Sequence, residues 1–244
     1  MVNKGKFFVI DGTDGSGKGT QTKIIIEKLK QEGYDVLEAD FPQYGKKSAA
    51  LVEEYLNGKF GDFDEVNAYQ ASIFYACDRF AASKDMKRHL EEGGIVISNR
   101  YVSSNQIHQS SKIEDENELD EFLNWLDNLE FNLFKIPKPD KVFFLNVPYE
   151  IGQQLCKKKE VREYIENDNN TDIHEQSKDH LRKAYERAVS LVDKFSYWEE
   201  IKCVNEDYEL KSIEEVNEEL YERIKEELKN LNLKESNLQE SKSL

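Results

Sequence analysis

A glycine-rich turn between an apolar run and a helical pattern is the segment of this sequence best suited to chemistry. The residues FFVIDGTDGSGKGTQTK place glycines, a lysine and a threonine directly after residues 7–10. Glycines let backbone N–H groups converge on phosphate oxygens, the following helix presents its positive end, and the lysine supplies a mobile cation. The motif predicts a triphosphate-binding loop, with a plain glycine turn as the alternative. Its predicted contacts are Gly12, Thr13, Asp14, Gly15, Ser16, Gly17, Lys18, Gly19 and Thr20.

Two carboxylates inside this turn bear on metal binding. Asp11 and Asp14 would repel phosphates unless a metal ion or a substrate hydroxyl lies between them. Gly19 occupies the position where the strict motif has a serine or threonine that ligates magnesium. We therefore expect Mg2+ to be held mainly by nucleotide phosphates and water, with Asp11 or Asp14 nearby. The alternative is that both aspartates are solvent-facing turn residues.

A second group of candidates lies on a helical pattern over residues 64–91. Tyr75 and Arg79 are four residues apart and share one face of that helix. There a ring can stack on a nucleobase while the guanidinium donates to an exocyclic oxygen, and a surface cation–π pair is the alternative. The opposite face is predicted to pack in the core through Val66, Tyr69, Ile73, Cys77 and Phe80.

Polar residues follow two predicted strands at their carboxyl ends, where open α/β sheets bind ligands. Arg100 is expected to bind an acceptor phosphate through two N–H groups, with the Tyr44 hydroxyl beside it. Pairing of this arginine with a surface carboxylate is the alternative. The segments FPQYG and NRYVSSNQIHQ contribute Phe41, Pro42, Tyr44, Arg100, Ser104, Asn105 and His108.

The elements that must position these residues are five short β-rich runs separated by longer helical patterns. The runs are KFFVI, YDVLEAD, GIVIS, DKVFFLNV and EIKCV. This alternation predicts an α/β fold, a three-layer sandwich with a mostly parallel sheet covered by helices. One domain is expected over residues 1–231, with an acidic insertion at about 111–121 and a polar, fraying tail at 232–244. Ser212 and Glu215 form a capping-box pattern before a final helix with Ile213, Val216, Leu220 and Ile224 on its docking face.

Composition excludes several classes of protein. The 244 residues carry a formal net charge of −15, so the surface is expected to repel nucleic acid and anionic lipid. The apolar runs are too short to span a membrane, and the first residues lack the pattern of a signal peptide. Three widely spaced cysteines fit reduced thiols in a cytoplasm and give no support for zinc.

Taken together, these motifs resemble the thymidylate kinase family of P-loop nucleoside monophosphate kinases. The matching blocks are VIDGTDGSGKGTQ, FPQYG, FYACDR, NRYVSSN, PKPDKVFFLNVP and DIHE. The resemblance implies a homodimer in which Asp14 meets the sugar 3′ hydroxyl, Tyr75 stacks on thymine and Arg79 bonds its exocyclic oxygen. It further implies that Arg100 and Tyr44 hold the acceptor phosphate.

The resemblance also assigns the thymine edge to Ser104 and Asn105, and it marks three departures from the family pattern. His108 occupies a position where the family often has a tyrosine that crowds out a ribose 2′ hydroxyl. Asn99 stands where the motif has an aspartate, and Gln43 where several relatives have arginine.

Phosphoryl transfer needs a cation near the moving group, and the loop supplies only Lys18. The segment 156–176 resembles the family's lid, and Arg162 is favoured over Lys157, Lys158 and Lys159 as the extra cation. A solvated charge run is the alternative. Asp172 and Glu175 either orient that cation or cap a helix. The predicted catalytic residues are Lys18, Asp14, Arg100 and Arg162.

The predicted reaction is transfer of the γ-phosphoryl group of Mg-ATP to dTMP, giving dTDP. A kinase of another monophosphate, such as AMP or dUMP, is the nearest alternative, because GKGTQ also resembles adenylate kinases. An inactive nucleotide-binding regulator is the second alternative, and it is suggested by Asn99, Gly19 and the acidic segment.

Overall fold

The computed structural model describes residues 5–62, 65–156 and 178–240, with the side chains of 178–179 and 230–240 outside the description. Its five strands form one parallel sheet in the order β2-β3-β1-β4-β5. All five predicted strands are confirmed. Their bounds are β1 Lys6–Asp11, β2 Val36–Asp40, β3 Ile95–Asn99, β4 Lys141–Asn146 and β5 Trp198–Lys202.

Helices connect the strands and cover both faces of the sheet. Two short 3-10 turns lie at Lys47–Ala49 and Ser110–Lys112, and a π-helical segment, Asn128–Leu133, continues from the helix that ends at Asp127. The helices of the described residues are α1 Lys18–Gln31, α2 Ala50–Leu56, α3 Ala68–Glu91, α4 Val102–His108, α5 Glu116–Asp127, α6 Tyr149–Cys156, α7 Lys178–Lys194 and α8 Ile213–Glu240.

Alternation along β1 divides the core into two layers. Phe7 and Val9 face one layer, which includes residues of α3, α4, α5 and α7. Phe8 and Ile10 face the other, which includes residues of α1 and α8. The predicted three-layer α/β sandwich is therefore confirmed, and the loops that carry the candidate residues emerge at the carboxyl edge of the sheet.

The predicted core face of α3 is wrong for three of its residues. Ile73 is 43% exposed, Phe80 is 52% exposed and Cys77 is also exposed. The buried residues of α3 are instead mostly small or polar, and Met86 is the one large apolar side chain among them. They are Ala68, Ala71, Ser72, Ala76, Asp78, Arg79, Ser83 and Met86.

The acidic segment is exposed in its middle and anchored at both ends. Residues 114–118 are exposed, whereas Ile113 and Leu119 are buried in the core. Asp115 caps α5 by accepting from the backbone N–H groups of Asn117 and Glu118, each at 2.9 Å. The segment therefore begins a packed helix.

The final helix is capped as predicted but differs from the prediction in two respects. Ser212 Oγ accepts from Glu215 N at 3.1 Å while Glu215 Oε2 accepts from Ser212 N at 2.8 Å. Ile213 is 51% exposed, so its place on the docking face was predicted wrongly. The helix continues to Glu240 instead of ending near Asn232, because the residues between them include no glycine or proline to stop it.

Candidate functional site

The phosphate loop folds between β1 and α1 as its glycines require. Gly15 and Gly17 have φ values of 85° and 80°, in the left-handed region that glycine adopts without strain. A Cβ at Gly15 would also lie 2.3 Å from the carbonyl oxygen of Gly152 in α6. The loop thus leads directly into the start of α1. The first N–H groups of α1 have no acceptor within the helix and are available to bind an anion.

Lys18 and Asp14 form the charged centre of this loop. Lys18 Nζ donates to the carbonyl oxygen of Thr13 at 3.0 Å and lies 3.5 Å from Asp14 Oδ1. Both side chains are more than nine-tenths buried. Lys18 is therefore held at the loop by groups that a phosphate oxygen can replace.

Arg100 reaches this centre from the end of β3. Its φ is 61°, a strained conformation for an arginine, and its guanidinium pairs with Asp14. Its Nη1 also donates to Ser104 Oγ at 3.2 Å. Strain of this kind is typical of functional sites, and here it turns the guanidinium back over the phosphate loop.

Asp11 is buried under the same centre and engaged by neighbouring donors. Its carboxylate accepts from Gly12 N at 2.8 Å and from Ser104 Oγ at 2.9 Å, and Ser103 Oγ also donates to it. These contacts tie the first turn of α4 to the end of β1. Asp11 therefore fixes the segment that carries Arg100.

A cavity lies between α3, α4 and the loop after β2. The ten residues predicted for the acceptor all line it: Asp14, Phe41, Pro42, Tyr44, Tyr75, Arg79, Arg100, Ser104, Asn105 and His108. Sequence reasoning missed three further lining residues, Leu56, Tyr101 and Gln109.

A second cavity opens at the start of α1. It is lined by Gly17, Lys18, Gly19 and Thr20 of the predicted ATP site. Five residues line both cavities: Asp14, Phe41, Pro42, Tyr44 and Arg100. Two ligands would therefore meet at Asp14 and Arg100.

Comparison with known proteins decides the family. The model of the thymidylate kinase family matches residues 10–220. The chain belongs to the thymidylate kinase family. That match extends from β1 into α8 and includes both cavities.

Individual relatives of the family agree with this match. The probable thymidylate kinase of Thermococcus kodakarensis is 32% identical over 162 residues, which cover 64% of this chain and 73% of that protein. The thymidylate kinase of Mycobacterium tuberculosis is 31% identical over 144 residues, 59% of this chain and 66% of that protein. The probable thymidylate kinase of Thermococcus onnurineus is 28% identical over 91% of this chain and 98% of its own length.

A solved structure shows the same fold. The thymidylate kinase of Candida albicans superposes with a TM-score of 0.69 at 23% identity, covering 93% of this chain and 94% of that one. The three-layer P-loop kinase fold is thus shared. Within the part of the chain that the structure describes, no helix is long and apolar enough to cross a membrane.

Arg79 is not the surface cation that the sequence left as an alternative. It is 1% exposed and pairs with Glu130, which accepts from Arg79 Nε at 3.0 Å and from Nη2. Arg79 Nη1 donates to the carbonyl oxygen of Tyr101 at 3.3 Å. The sequence analysis did not single out Glu130, which lies in the π-helical segment and therefore departs from regular helical spacing.

His108 lies beside Arg100 and is buried. Burial holds the pKa of its imidazole well below the ordinary value, and the charge of Arg100 acts in the same direction while Asp14 opposes it. The ring is therefore neutral near pH 7, so His108 Nε2 can accept from Arg100 Nη1 at 3.2 Å. With the ring proton on Nδ1 and the free electron pair on Nε2, His108 orients the guanidinium of Arg100.

Gln43 is bound to Asp78 of α3. Its backbone N–H donates to Asp78 Oδ2 at 2.8 Å and its Nε2 donates to Asp78 Oδ1 at 3.0 Å. Ser48 Oγ donates to Asp78 Oδ1 at 2.6 Å. Asp78 of α3 thereby anchors the loop that carries Tyr44, and Gln43 is not among the residues that line either of these two cavities.

Asn99 lies between Gly19 and Asp40 at the edge of the second cavity. Asn99 Nδ2 donates to Asp40 Oδ1 at 2.8 Å and lies 3.9 Å from where a Cβ on Gly19 would be. Desolvation raises the pKa of Asp40, although the Asn99 hydrogen bond and the charge of Arg100 oppose that shift.

The predicted lid residues Lys157, Lys158, Lys159, Arg162, Asp172 and Glu175 lie outside the described residues.

Proposed function

We propose that this chain transfers the γ-phosphoryl group of ATP to dTMP, giving dTDP, by direct in-line displacement. The observation that carries the proposal is that two cavities meet at Asp14 and Arg100. One cavity includes the phosphate loop, and the other has an aromatic ring, a buried guanidinium and amide groups suited to a pyrimidine base. Membership of the thymidylate kinase family supports the same reaction.

The residues of the junction have distinct tasks in this reaction. Lys18 and the N–H groups of the loop hold the β- and γ-phosphates, and Arg100 holds the acceptor phosphate in line with them. Asp14, which pairs with both cations, accepts from the sugar 3′ hydroxyl when phosphates take its partners. Arg162 of the lid is proposed as the further cation at the transition state.

In the acceptor cavity, the proposed roles follow the lining residues. Tyr75 stacks on thymine, while Arg79 donates to its exocyclic oxygen. Asn105 and Ser104 address the base edge from α4, and Phe41 and Pro42 close the cavity opposite. His108 stands near the sugar in place of a larger tyrosine, so exclusion of a 2′ hydroxyl rests on a smaller side chain.

Magnesium would bind in the second cavity only if the nucleotide phosphates supply some of its ligands. Among the described residues there is no group of three or more histidine, cysteine, aspartate or glutamate side chains that could hold a metal. In the same part of the chain, however, Asn99 Oδ1 is buried without a hydrogen-bond partner, and Asn99 and Asp40 line the cavity with Gly19 and Thr20. The amide oxygen of Asn99 and the carboxylate oxygens of Asp40 can accept hydrogen bonds from water molecules bound to Mg2+.

We propose that phosphates and water supply the direct magnesium ligands and that Asp14 and Asn99 lie around them. Mg2+ bound there would neutralise charge on the transferring phosphate. Asp11 is the weaker of the two predicted metal residues, because its oxygens already accept from Ser103, Ser104 and the loop. It acts instead by fixing α4.

Turnover assays across nucleoside monophosphates test the function. We expect the rate with dTMP and Mg-ATP to exceed the rates with dUMP and AMP. Faster turnover of AMP would establish the other kinase. Binding of ATP and dTMP without turnover would establish an inactive regulator.

We further propose a cytoplasmic homodimer that does not bind nucleic acid. The exposed apolar side chains on α3, Ile73 and Phe80, together with the 66% exposed Leu133, support a subunit contact on that face. The net charge of −15 supports the absence of nucleic-acid binding, and the widely spaced cysteines support a reducing compartment. Sedimentation equilibrium at micromolar concentration tests the dimer, and a monomeric mass would contradict it.

A further inference from the structure

Glu130 is the one side chain of the π-helical segment that turns fully inward at the base end of the acceptor cavity. It is 0% exposed, whereas Leu133 in the same segment is 66% exposed. Short π-helical segments are frequently found at functional sites, because they redirect one side chain out of the regular helical pattern. Here the redirected group is a carboxylate that contacts Arg79.

The contacts leave one side of Arg79 available to the cavity. A single oxygen, Glu130 Oε1, accepts from both Nε and Nη2 of Arg79, and Nη1 lies 3.3 Å from the carbonyl oxygen of Tyr101. Arg79 lines the cavity and Glu130 is not among its lining residues. Glu130 thus binds the guanidinium from outside the cavity. It thereby fixes the direction in which the remaining N–H groups of Arg79 point.

Stability does not explain the pair. Within the described residues, Glu130 Oε2 is buried with no hydrogen-bond partner. A buried ion pair with an unsatisfied oxygen contributes little compared with apolar side chains of similar volume. A role in recognition accounts for a carboxylate at this position.

The charge of Glu130 also distinguishes the two ends of the cavity. Arg79 and Arg100 both line it, and an acceptor nucleotide has a neutral base at one end and a dianionic phosphate at the other. A buried guanidinium without a counter-charge would attract the phosphate. With Glu130 in place, the Arg79 end offers N–H donors with little net charge, which suits a base carbonyl.

We propose that Glu130 is a positioning residue that orients Arg79 toward the base carbonyl and neutralises it, so that the acceptor nucleotide binds in only one direction. This inference rests on the proposed acceptor site. It adds to that site Glu130, which lies outside the cavity lining. Glu130 acts through Arg79 and sets the specificity of that arginine.

The test is the Glu130→Gln variant, which keeps the shape and removes the charge. We expect the dissociation constant for dTMP, measured by calorimetry, to rise about 10-fold or more, as for loss of a charged hydrogen-bond partner. The constant for 2-deoxyribose 5-phosphate, which has no base, should stay unchanged or fall. In turnover, KM for dTMP should rise while KM for ATP stays within about 2-fold and kcat changes less than KM.

The exposed neighbour Glu121 on α5 provides the matched control, since Glu121→Gln removes the same charge away from the cavity. If Glu130→Gln does not fold, Glu130→Asp keeps the charge but draws the guanidinium back, and it should weaken dTMP without affecting the sugar phosphate. Equal weakening of both ligands, or unchanged dTMP binding in folded variants, would overturn the inference. Failure of the unmodified protein to bind dTMP would instead overturn the proposed function.

Discussion

Two arginines line the same cavity and each pairs with a carboxylate, but their surroundings differ. The Arg79 side chain is 2% exposed and its partner Glu130 is 0% exposed. The Arg100 side chain is 20% exposed, and its partner Asp14 also lies near Lys18. The first pair is enclosed by protein, whereas the second lies where two cavities open.

This difference separates a fixed recognition group from an exchangeable one. Glu130 is fully buried and does not line the cavity, so a ligand group in the cavity does not reach its place beside Arg79. Asp14 can give up Arg100 and Lys18 when phosphates bring negative charge to both cations. In the proposed reaction, the acceptor cavity therefore joins a rigid base-binding end to a phosphate-binding end that rearranges its charges on binding.

Breaking the enclosed pair is expected to have the largest effect on stability. Arg79→Met leaves the Glu130 carboxylate buried without its partner, so the free energy of unfolding should fall by about 3–5 kcal/mol. Arg100→Met should change it by no more than about 1 kcal/mol, because Asp14 keeps Lys18 as a partner and Arg100 itself is partly exposed to solvent. Urea unfolding of both variants measures the difference.

The double variant Arg79→Met with Glu130→Met serves as the control for this comparison. Replacing both members by apolar side chains removes the unpaired charge, so much of the lost stability should return. If Arg79→Met and Arg100→Met are equally stable, the contrast between the enclosed and the open pair is wrong.

Removing the exchangeable arginine is expected to affect the reaction instead. Arg100→Ala should lower turnover of dTMP by about 100- to 1,000-fold, because a preorganised donor to the reacting phosphate is lost. Binding of a non-hydrolysable ATP analogue should stay within about 2-fold, since Lys18 and the loop N–H groups remain. Calorimetry and steady-state kinetics measure these quantities.

Arg88→Ala provides a matched control, because Arg88 on α3 is 65% exposed and pairs only with a neighbour on its own helix among the contacts of the described residues. It should leave both turnover and binding unchanged. Lost affinity for the ATP analogue in Arg100→Ala would place Arg100 in the donor site and contradict its assignment to the acceptor.

The two ends of the cavity also differ in how far sequence reveals them. The phosphate loop and Arg100 follow strands directly, so strand pattern and motif spacing placed both at the carboxyl edge of the sheet. Glu130 is 51 positions from Arg79 and lies on a π-helical segment, whose pattern no regular helical period reveals. The exposed face of α3 was mistaken for core because hydrophobic spacing alone does not say which face of a helix packs.

Asn99, next to Arg100 in the chain, offers a smaller test of the phosphate-binding end. It donates to Asp40 and lines the second cavity, where the family motif has an aspartate. In Asn99→Asp, a second carboxylate would stand beside Asp40, and mutual repulsion would favour a cation between the phosphates and this edge. We expect the Mg2+ concentration for half-maximal rate to fall by about 3- to 10-fold. Binding of Mn2+ with ADP, followed by electron paramagnetic resonance, should tighten in parallel without depending on turnover.

The exchange variant, Asp40→Asn with Asn99→Asp, separates the position of the charge from its amount. It keeps one carboxylate and one amide at this edge and moves the carboxylate next to Gly19. If position decides metal binding, the exchange variant should tighten Mn2+ as Asn99→Asp does. If the added charge decides it, the exchange variant should resemble the unmodified protein. An unchanged metal titration in both variants would mean that this edge does not face the metal, and the charge rearrangement at Arg100 would then proceed without it.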